Sequence, residues 1–202
     1  EVIKEKENPA ETVTKASEYF PLKVGNYWVY RNFEIKPDGE RIIKRRDTFS
    51  ITETKTVGKD TFYFIDEKMD HSLIQNGWVK DSMGYLIGKN GVIYFSTVNF
   101  LDTIYSNDYL INENEVLLST RGYMEKIDSG YLNKLQAFDN IINFKLKGWM
   151  PKKHRNEEVK DLYPRYLHRF FSKGIGLVYF NYYYAGDPKT FTLELESYNL
   201  VP

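Results

Sequence analysis

Along residues 41–57 the chain shows period-two alternation, with Thr48, Ser50, Thr52, Thr54 and Thr56 on one parity and Phe49, Ile51 and Val57 on the other. A period of two marks a strand with one packed and one wet face. Upstream, residues 27–36 read as extended up to Pro37-Asp38-Gly39, where Pro presets φ and Gly supplies a positive φ for the turn. Downstream, Val57-Gly58-Lys59-Asp60 turns the chain into a further strand over residues 62–66. Short apolar runs then recur between Asn76-Gly77, Gly84 and Asn90-Gly91, the pattern of a meander of hairpins. The Asn-rich residues 107–114 predict a loop and residues 116–119 a short strand. From Phe138 to Trp149 alternation returns, with Ile141, Asn143, Lys145 and Lys147 set against Ile142, Phe144 and Leu146.

The last hairpin can be derived pair by pair. With Ala185-Gly186-Asp187-Pro188 as its loop, Tyr184 meets Lys189, Tyr182 meets Phe191, Phe180 meets Leu193 and Val178 meets Leu195. The other parity then pairs Tyr183 with Thr190, Asn181 with Thr192, Tyr179 with Glu194 and Leu177 with Glu196. This register separates an apolar face from a polar one, and a slip of one residue would turn Glu194 and Glu196 inward.

These patterns predict an all-β or β-rich α+β domain. We expect a single curved antiparallel sheet or open half-barrel of about eight to ten strands, with a short helix covering one side. Trp28, Phe49, Phe64, Phe180, Phe191 and Leu193 are its expected packed face, and Trp28, Trp78 and Trp149 read as core or rim. Residues 1–18 carry many charges and few large apolar groups and read as a tether, with Asn8, Pro9 and Glu11 signalling a short helix over residues 9–17. Residues 19–202 form the β domain. Residues 151–161 read as an exposed loop of mixed charge.

Composition sharpens this mainly by exclusion. The 202 residues include 17 Tyr and 16% aromatics, which favour half-buried pleated surfaces. Lys plus Arg and Asp plus Glu stand at 28 each, so no net field favours nucleic acid as a partner. Cysteine is absent, which removes disulfides, thiolate metal sites and a thiol nucleophile from the chain. No apolar run reaches the roughly 18 residues a membrane helix needs. His71, His154 and His168 have no metal-ligand spacing, and His71-Ser72 lacks the elbow of a serine hydrolase. Gly174-Ile175-Gly176 lacks the third glycine and following helix of a dinucleotide loop; these glycines instead fit a bulge or close approach. Neither cofactor nor metal is expected.

Glu194 and Glu196 lie two apart on one strand, roughly 7 Å by strand geometry, a spacing that ordinary solvent-facing residues share with glycosidase pairs. The same face supplies a candidate binding set, Tyr179, Asn181, Tyr183, Thr192 and Glu194, because Tyr offers a flat ring with a polar tip beside amide, hydroxyl and carboxylate groups. Its expected partner is a small molecule, a glycan or an envelope protein.

Tyr19-Phe20-Pro21-Leu22-Lys23-Val24-Gly25-Asn26-Tyr27-Trp28-Val29-Tyr30 and Phe171-Ser172-Lys173-Gly174-Ile175-Gly176-Leu177-Val178 together resemble the two ends of uncharacterised bacterial cell-envelope proteins, many of them assigned as lipoproteins. That resemblance implies export, and tethering to a membrane through a lipidated cysteine upstream of Glu1. It carries no catalytic residues. The expected function is therefore a non-catalytic envelope binding or structural module; the alternatives are a carrier for a lipid or other hydrophobic ligand, and a hydrolase using carboxylates such as Glu194 or Asp66.

Overall fold

The computed structural model describes residues 13–68, 74, 77–128, 130–133 and 136–202. His71, Ser72 and residues 9–12 of the expected helix lie outside the described residues, and residues 13–15 of that stretch are not helical. Among the described residues fourteen strands follow in chain order. They are β1 (Tyr27–Ile35), β2 (Arg41–Val57), β3 (Asp60–Lys68), β4 (Trp78–Ser82), β5 (Tyr85–Gly88), β6 (Ile93–Ser96) and β7 (Tyr105–Asn112). Then come β8 (Glu115–Ile127), β9 (Tyr131–Leu132), β10 (Ala137–Phe138), β11 (Ile141–Trp149), β12 (Arg165–Ser172), β13 (Gly176–Tyr182) and β14 (Thr190–Asn199).

Twelve of these form one antiparallel sheet in the order β6-β5-β4-β3-β2-β1-β14-β13-β12-β11-β8-β7, with β9 and β10 as a separate two-stranded flap. The sheet curls until β6 comes alongside β8, giving a nearly closed barrel. The expected half-barrel of eight to ten strands is corrected on both counts. The strand count was low because residues 107–114, read as a loop, belong largely to β7, an edge strand whose side chains are mostly exposed. Such a strand has no buried face to impose alternation on its sequence. Among the described residues the helical cover is a 3-10 turn, Ala16–Glu18, with Ala16 buried in the core and Ser17 donating through N and Oγ to Asp81 Oδ2 at 2.8 and 2.7 Å.

The barrel interior is aromatic. Phe20 stacks on Trp28 with ring centres 5.2 Å apart, Phe95 meets Phe171 at 4.3 Å, and Tyr30 meets Phe49 at 4.8 Å. Trp28, Phe49, Phe180 and Leu193 are fully buried, as expected. Phe64 and Phe191 are only partly so. Phe64 packs on Trp78 at 5.2 Å and Phe191 stacks on Tyr182 at 5.1 Å.

The last hairpin pairs Tyr179 with Glu194, Phe180 with Leu193, Asn181 with Thr192 and Tyr182 with Phe191, the register expected from the sequence. Gly176 has a φ of +115°, and a Cβ there would lie 3.0 Å from Trp28 Nε1, so this glycine does serve a close approach. The 151–161 segment is mostly exposed, yet Val159 is buried in a second small cluster with Met150 and Tyr163.

Candidate functional site

Two sets of polar side chains stand out, one on the outer face of the sheet and one inside the barrel. The outer set lies where β12, β13, β14 and β1 run side by side. Between Val29 and Tyr30 the β1–β14 register shifts, so that Glu196 is the extra residue of a bulge. Beside that bulge the Leu195 carbonyl accepts from Asn133 Nδ2 at 3.0 Å, which fixes the flap to the sheet. The flap then lays Tyr131 against Phe170 and Tyr179, with ring centres 5.2 and 5.3 Å apart, while Phe170 and Tyr179 meet at 5.0 Å. Burial, helped by the nearby Glu194, pushes the Tyr179 hydroxyl up to about 12, so it stays a neutral donor.

Four of the five sequence-derived binding residues, Tyr179, Asn181, Thr192 and Glu194, share this face, and their surroundings differ. Glu194 is buried; its Oε1 accepts from Arg41 Nη2 at 2.6 Å, and its Oε2 has no hydrogen-bond partner. Arg41 in turn lies 4.3 Å from the Phe33 ring centre. Thr192 is buried with its Oγ1 unpartnered, and Arg31, opposite Glu194 in the register, has Nε and Nη2 buried and unpartnered. Asn181 instead mends the sheet. The β12–β13 ladder pairs from Arg169/Phe180 to Ser172/Gly176, and next to it the Asn181 side chain bridges the strands, Oδ1 accepting from His168 N at 2.5 Å and Nδ2 donating to Tyr166 O at 3.1 Å. Tyr183 lies under the Arg165 guanidinium, and burial pushes its hydroxyl up to about 12. Glu196 swings away from Glu194 to Arg46, whose Nε donates to it at 2.6 Å. The two carboxylates are thus held by two different arginines.

The interior set was not visible in the sequence. Asn32, on the same face of β1 as Trp28 and Tyr30, donates from Nδ2 to the buried Asp47 Oδ2 at 2.7 Å, and Arg45 Nε sits 2.6 Å from Asp47 Oδ1. On β12, Arg169 shares a face with Leu167 and Phe171 and pairs in register with Phe144 and Phe180. Its guanidinium carbon lies 5.2 and 5.3 Å from those two ring centres. Gly122 makes room there, since a Cβ at that position would come within 2.5 Å of the Phe144 ring. Burial lowers the Arg169 guanidinium to about 10, partly offset by the field of Glu67, and the group stays charged at neutral pH. No periodicity marks a single Arg in Arg-Tyr-Leu-His-Arg-Phe-Phe as inward-facing until the strand parity is known. Among the described residues no three His, Cys, Asp or Glu side chains converge as a metal site would require, and no helix is long and apolar enough to cross a membrane.

Fold and sites together describe an antiparallel, nearly closed barrel with an aromatic core, an external flap and polar groups on both sheet faces. No protein-family model matches the chain, and no curated protein matches it. A solved structure of a "putative lipoprotein" from Parabacteroides distasonis is similar to it with a TM-score of 0.40 and 12% identity, over 90% of this chain and 98% of the other. A "putative exported protein with YmcC-like fold" from Bacteroides fragilis is similar with a TM-score of 0.38 and 12% identity, over 88% of this chain and 97% of the other.

Proposed function

We propose that this protein is a non-catalytic binding module of the bacterial cell envelope, exported and lipid-tethered, which takes a hydroxyl-rich ligand such as a glycan on the outer face around Tyr179. The observation that carries the reading is the combination of a Tyr131–Phe170–Tyr179 ring cluster with two buried oxygens, Thr192 Oγ1 and Glu194 Oε2, that have no hydrogen-bond partner. Buried polar atoms are normally paired, and unpaired ones beside aromatic rings suit a ligand that brings its own hydroxyls. Export and tethering rest on the resemblance of the segments at residues 19–30 and 171–178 to envelope proteins.

The non-catalytic half of the reading is supported by the arginine pairing of Glu194 and Glu196, which makes each a structural anion rather than a free acid or base. A carrier for a large lipid would need a continuous apolar lumen, and Phe20, Trp28, Phe95 and Phe171 interrupt it by packing against one another. The test is a screen of envelope glycans and peptidoglycan fragments by calorimetry, with Tyr179→Ala and Thr192→Val as variants. A glycan whose affinity drops about tenfold or more in either variant supports the reading, on the scale of one lost hydrogen bond or ring contact. Binding that both variants leave untouched, or no binding across the panel, would refute it.

A further inference from the structure

Arg169 is anomalous. A buried guanidinium normally faces a carboxylate or several carbonyls, because an uncompensated buried charge is costly. Here Nε is sealed from solvent without a partner, and Arg169 forms no ion pair among the described residues. What surrounds it is mostly ring: Phe144 on one neighbouring strand, Phe180 on the other, and Tyr94 and Tyr105 near enough for their hydroxyls to influence it. Yet the side chain is not closed off, since Arg169 and Tyr105 both keep partial solvent exposure. A fixed, planar donor lined by rings and still open on one side has the form of an anion receptor.

We infer that Arg169 is the anchor of an interior site that binds the carboxylate of a singly charged organic acid, with the acid's apolar body against the surrounding aromatic wall. Its planar fork matches a carboxylate in two parallel hydrogen bonds. A single charge fits better than two, because Glu67 lies on the inner face opposite Phe49 and its field already reaches Arg169, so it would repel a dianion. Glu67 itself is engaged, its Oε1 accepting from Ile74 N at 2.8 Å. The rings exclude water from one side of the guanidinium, which strengthens the pair. This site is separate from the outer face around Tyr179 and does not depend on it.

The full chain would be titrated at neutral pH with hexanoate, decanoate and 3-phenylpropionate, each beside the alcohol of the same skeleton, by calorimetry and by the shift of a ¹³C-labelled carboxyl carbon. At least one acid is expected to bind about tenfold or more tighter than its alcohol, the worth of a charge-assisted pair. Arg169→Gln is expected to erase that preference and Arg169→Lys to keep part of it, while Tyr179→Ala leaves it unchanged. Equal binding of acid and alcohol, binding of none of the three acids, or a preference that survives in Arg169→Gln would overturn the assignment. If Arg169→Gln does not fold, the acid-to-alcohol ratio and the carboxyl shift in the wild-type chain still decide, and a preference lost in Tyr179→Ala would move the acid to the outer face.

Discussion

The Arg165 guanidinium lies 4.0 Å from the centre of the Tyr183 ring, and from that stack it reaches across the turn between β13 and β14. Nη1 donates to the carbonyls of Asp187 at 2.5 Å and Tyr184 at 3.3 Å, and Nη2 to that of Lys189 at 2.7 Å. One side chain thereby satisfies the carbonyls of a loop that has few other internal partners. Tyr163 and Asn156 complete the attachment, donating to the carbonyls of Ala185 at 2.7 Å and Gly186 at 3.0 Å.

Replacing Arg165 by Lys should therefore destabilise the fold although the charge is kept. A lysine cannot stack as a plane or hold three carbonyls at once, and each buried carbonyl left unpaired costs about 1 kcal/mol or more. We expect a loss of about 1–3 kcal/mol on that basis, read as a lower urea midpoint. Hydrogen exchange should quicken in residues 184–190 first. An unchanged midpoint would show that the loop is held by Tyr163 and Asn156 alone.

Gly176→Ala and Gly174→Ala make a second, paired prediction. Both glycines have positive φ, +115° and +76°, but only at 176 would a Cβ meet something, the Trp28 ring whose Nε1 donates to Ile175 O at 2.7 Å. At 174 nothing lies within 4 Å. Gly174→Ala should cost about 1–2 kcal/mol for the left-handed backbone alone. Gly176→Ala adds displacement of a fully buried indole and should cost more, with a red shift in Trp28 emission that Gly174→Ala lacks. Equal costs and identical spectra would refute the close-approach account.

What was legible in the sequence follows from where burial enforces a pattern. The Tyr179/Glu194 register could be read because apolar residues repeat on one parity of both strands, so only one alignment sorts them. β7 could not, because both of its faces are largely wet and its Asn-rich composition imitates a loop. Parity predicts one face for Tyr179, Asn181, Thr192 and Glu194, and the ladder pairs Tyr179 with Glu194 and Asn181 with Thr192; Tyr183 lies past that ladder, under Arg165. The sequence could not say that Asn181 bridges β12 and β13, since that depends on where a ladder stops pairing. Arg169 was hidden for a different reason: an inward charge breaks the rule that strand-reading relies on, and such breaks concentrate at sites that do something.

Arg41 and Glu194 give a third prediction. Glu194 is buried and Arg41 about one third exposed, so removing the arginine strands a carboxylate that already has one unpartnered oxygen. Arg41→Ala should cost about 1–3 kcal/mol, whereas the double variant Arg41→Met with Glu194→Leu should recover most of it, because the charge and its desolvation vanish together. The measurement is a double-mutant cycle on urea midpoints. A double variant as unstable as Arg41→Ala would mean that the pair stabilises the fold beyond its own desolvation.

His168 gives a prediction about pH. Asn143 Nδ2 donates to Glu125 Oε2 at 3.0 Å and also lies 3.0 Å from His168 Nδ1, so that ring nitrogen is an acceptor and the imidazole is neutral. Burial, reinforced by the Lys145 ammonium, lowers the His168 pKa below its ordinary value of about 6.5, with Glu125 opposing. Lys145 donates to Glu125 Oε1 at 2.9 Å, and the rings of Tyr166 and Phe170 flank the imidazole. As pH falls below about 6.5 the unfolded chain takes up a proton that the folded chain refuses, so stability drops, and the drop levels off once the folded-state pKa is passed. The depressed carboxylates Glu34, Glu115 and Glu196 also lose stability on acidification, but in a lower window near and below about pH 4.5. Urea midpoints measured between neutral pH and the carboxylate range should therefore fall in the wild-type chain and stay flat in His168→Gln. A wild-type midpoint that is flat there, or rises on acidification, would mean that the charged imidazole is accommodated and that Asn143 turns its amide to receive it.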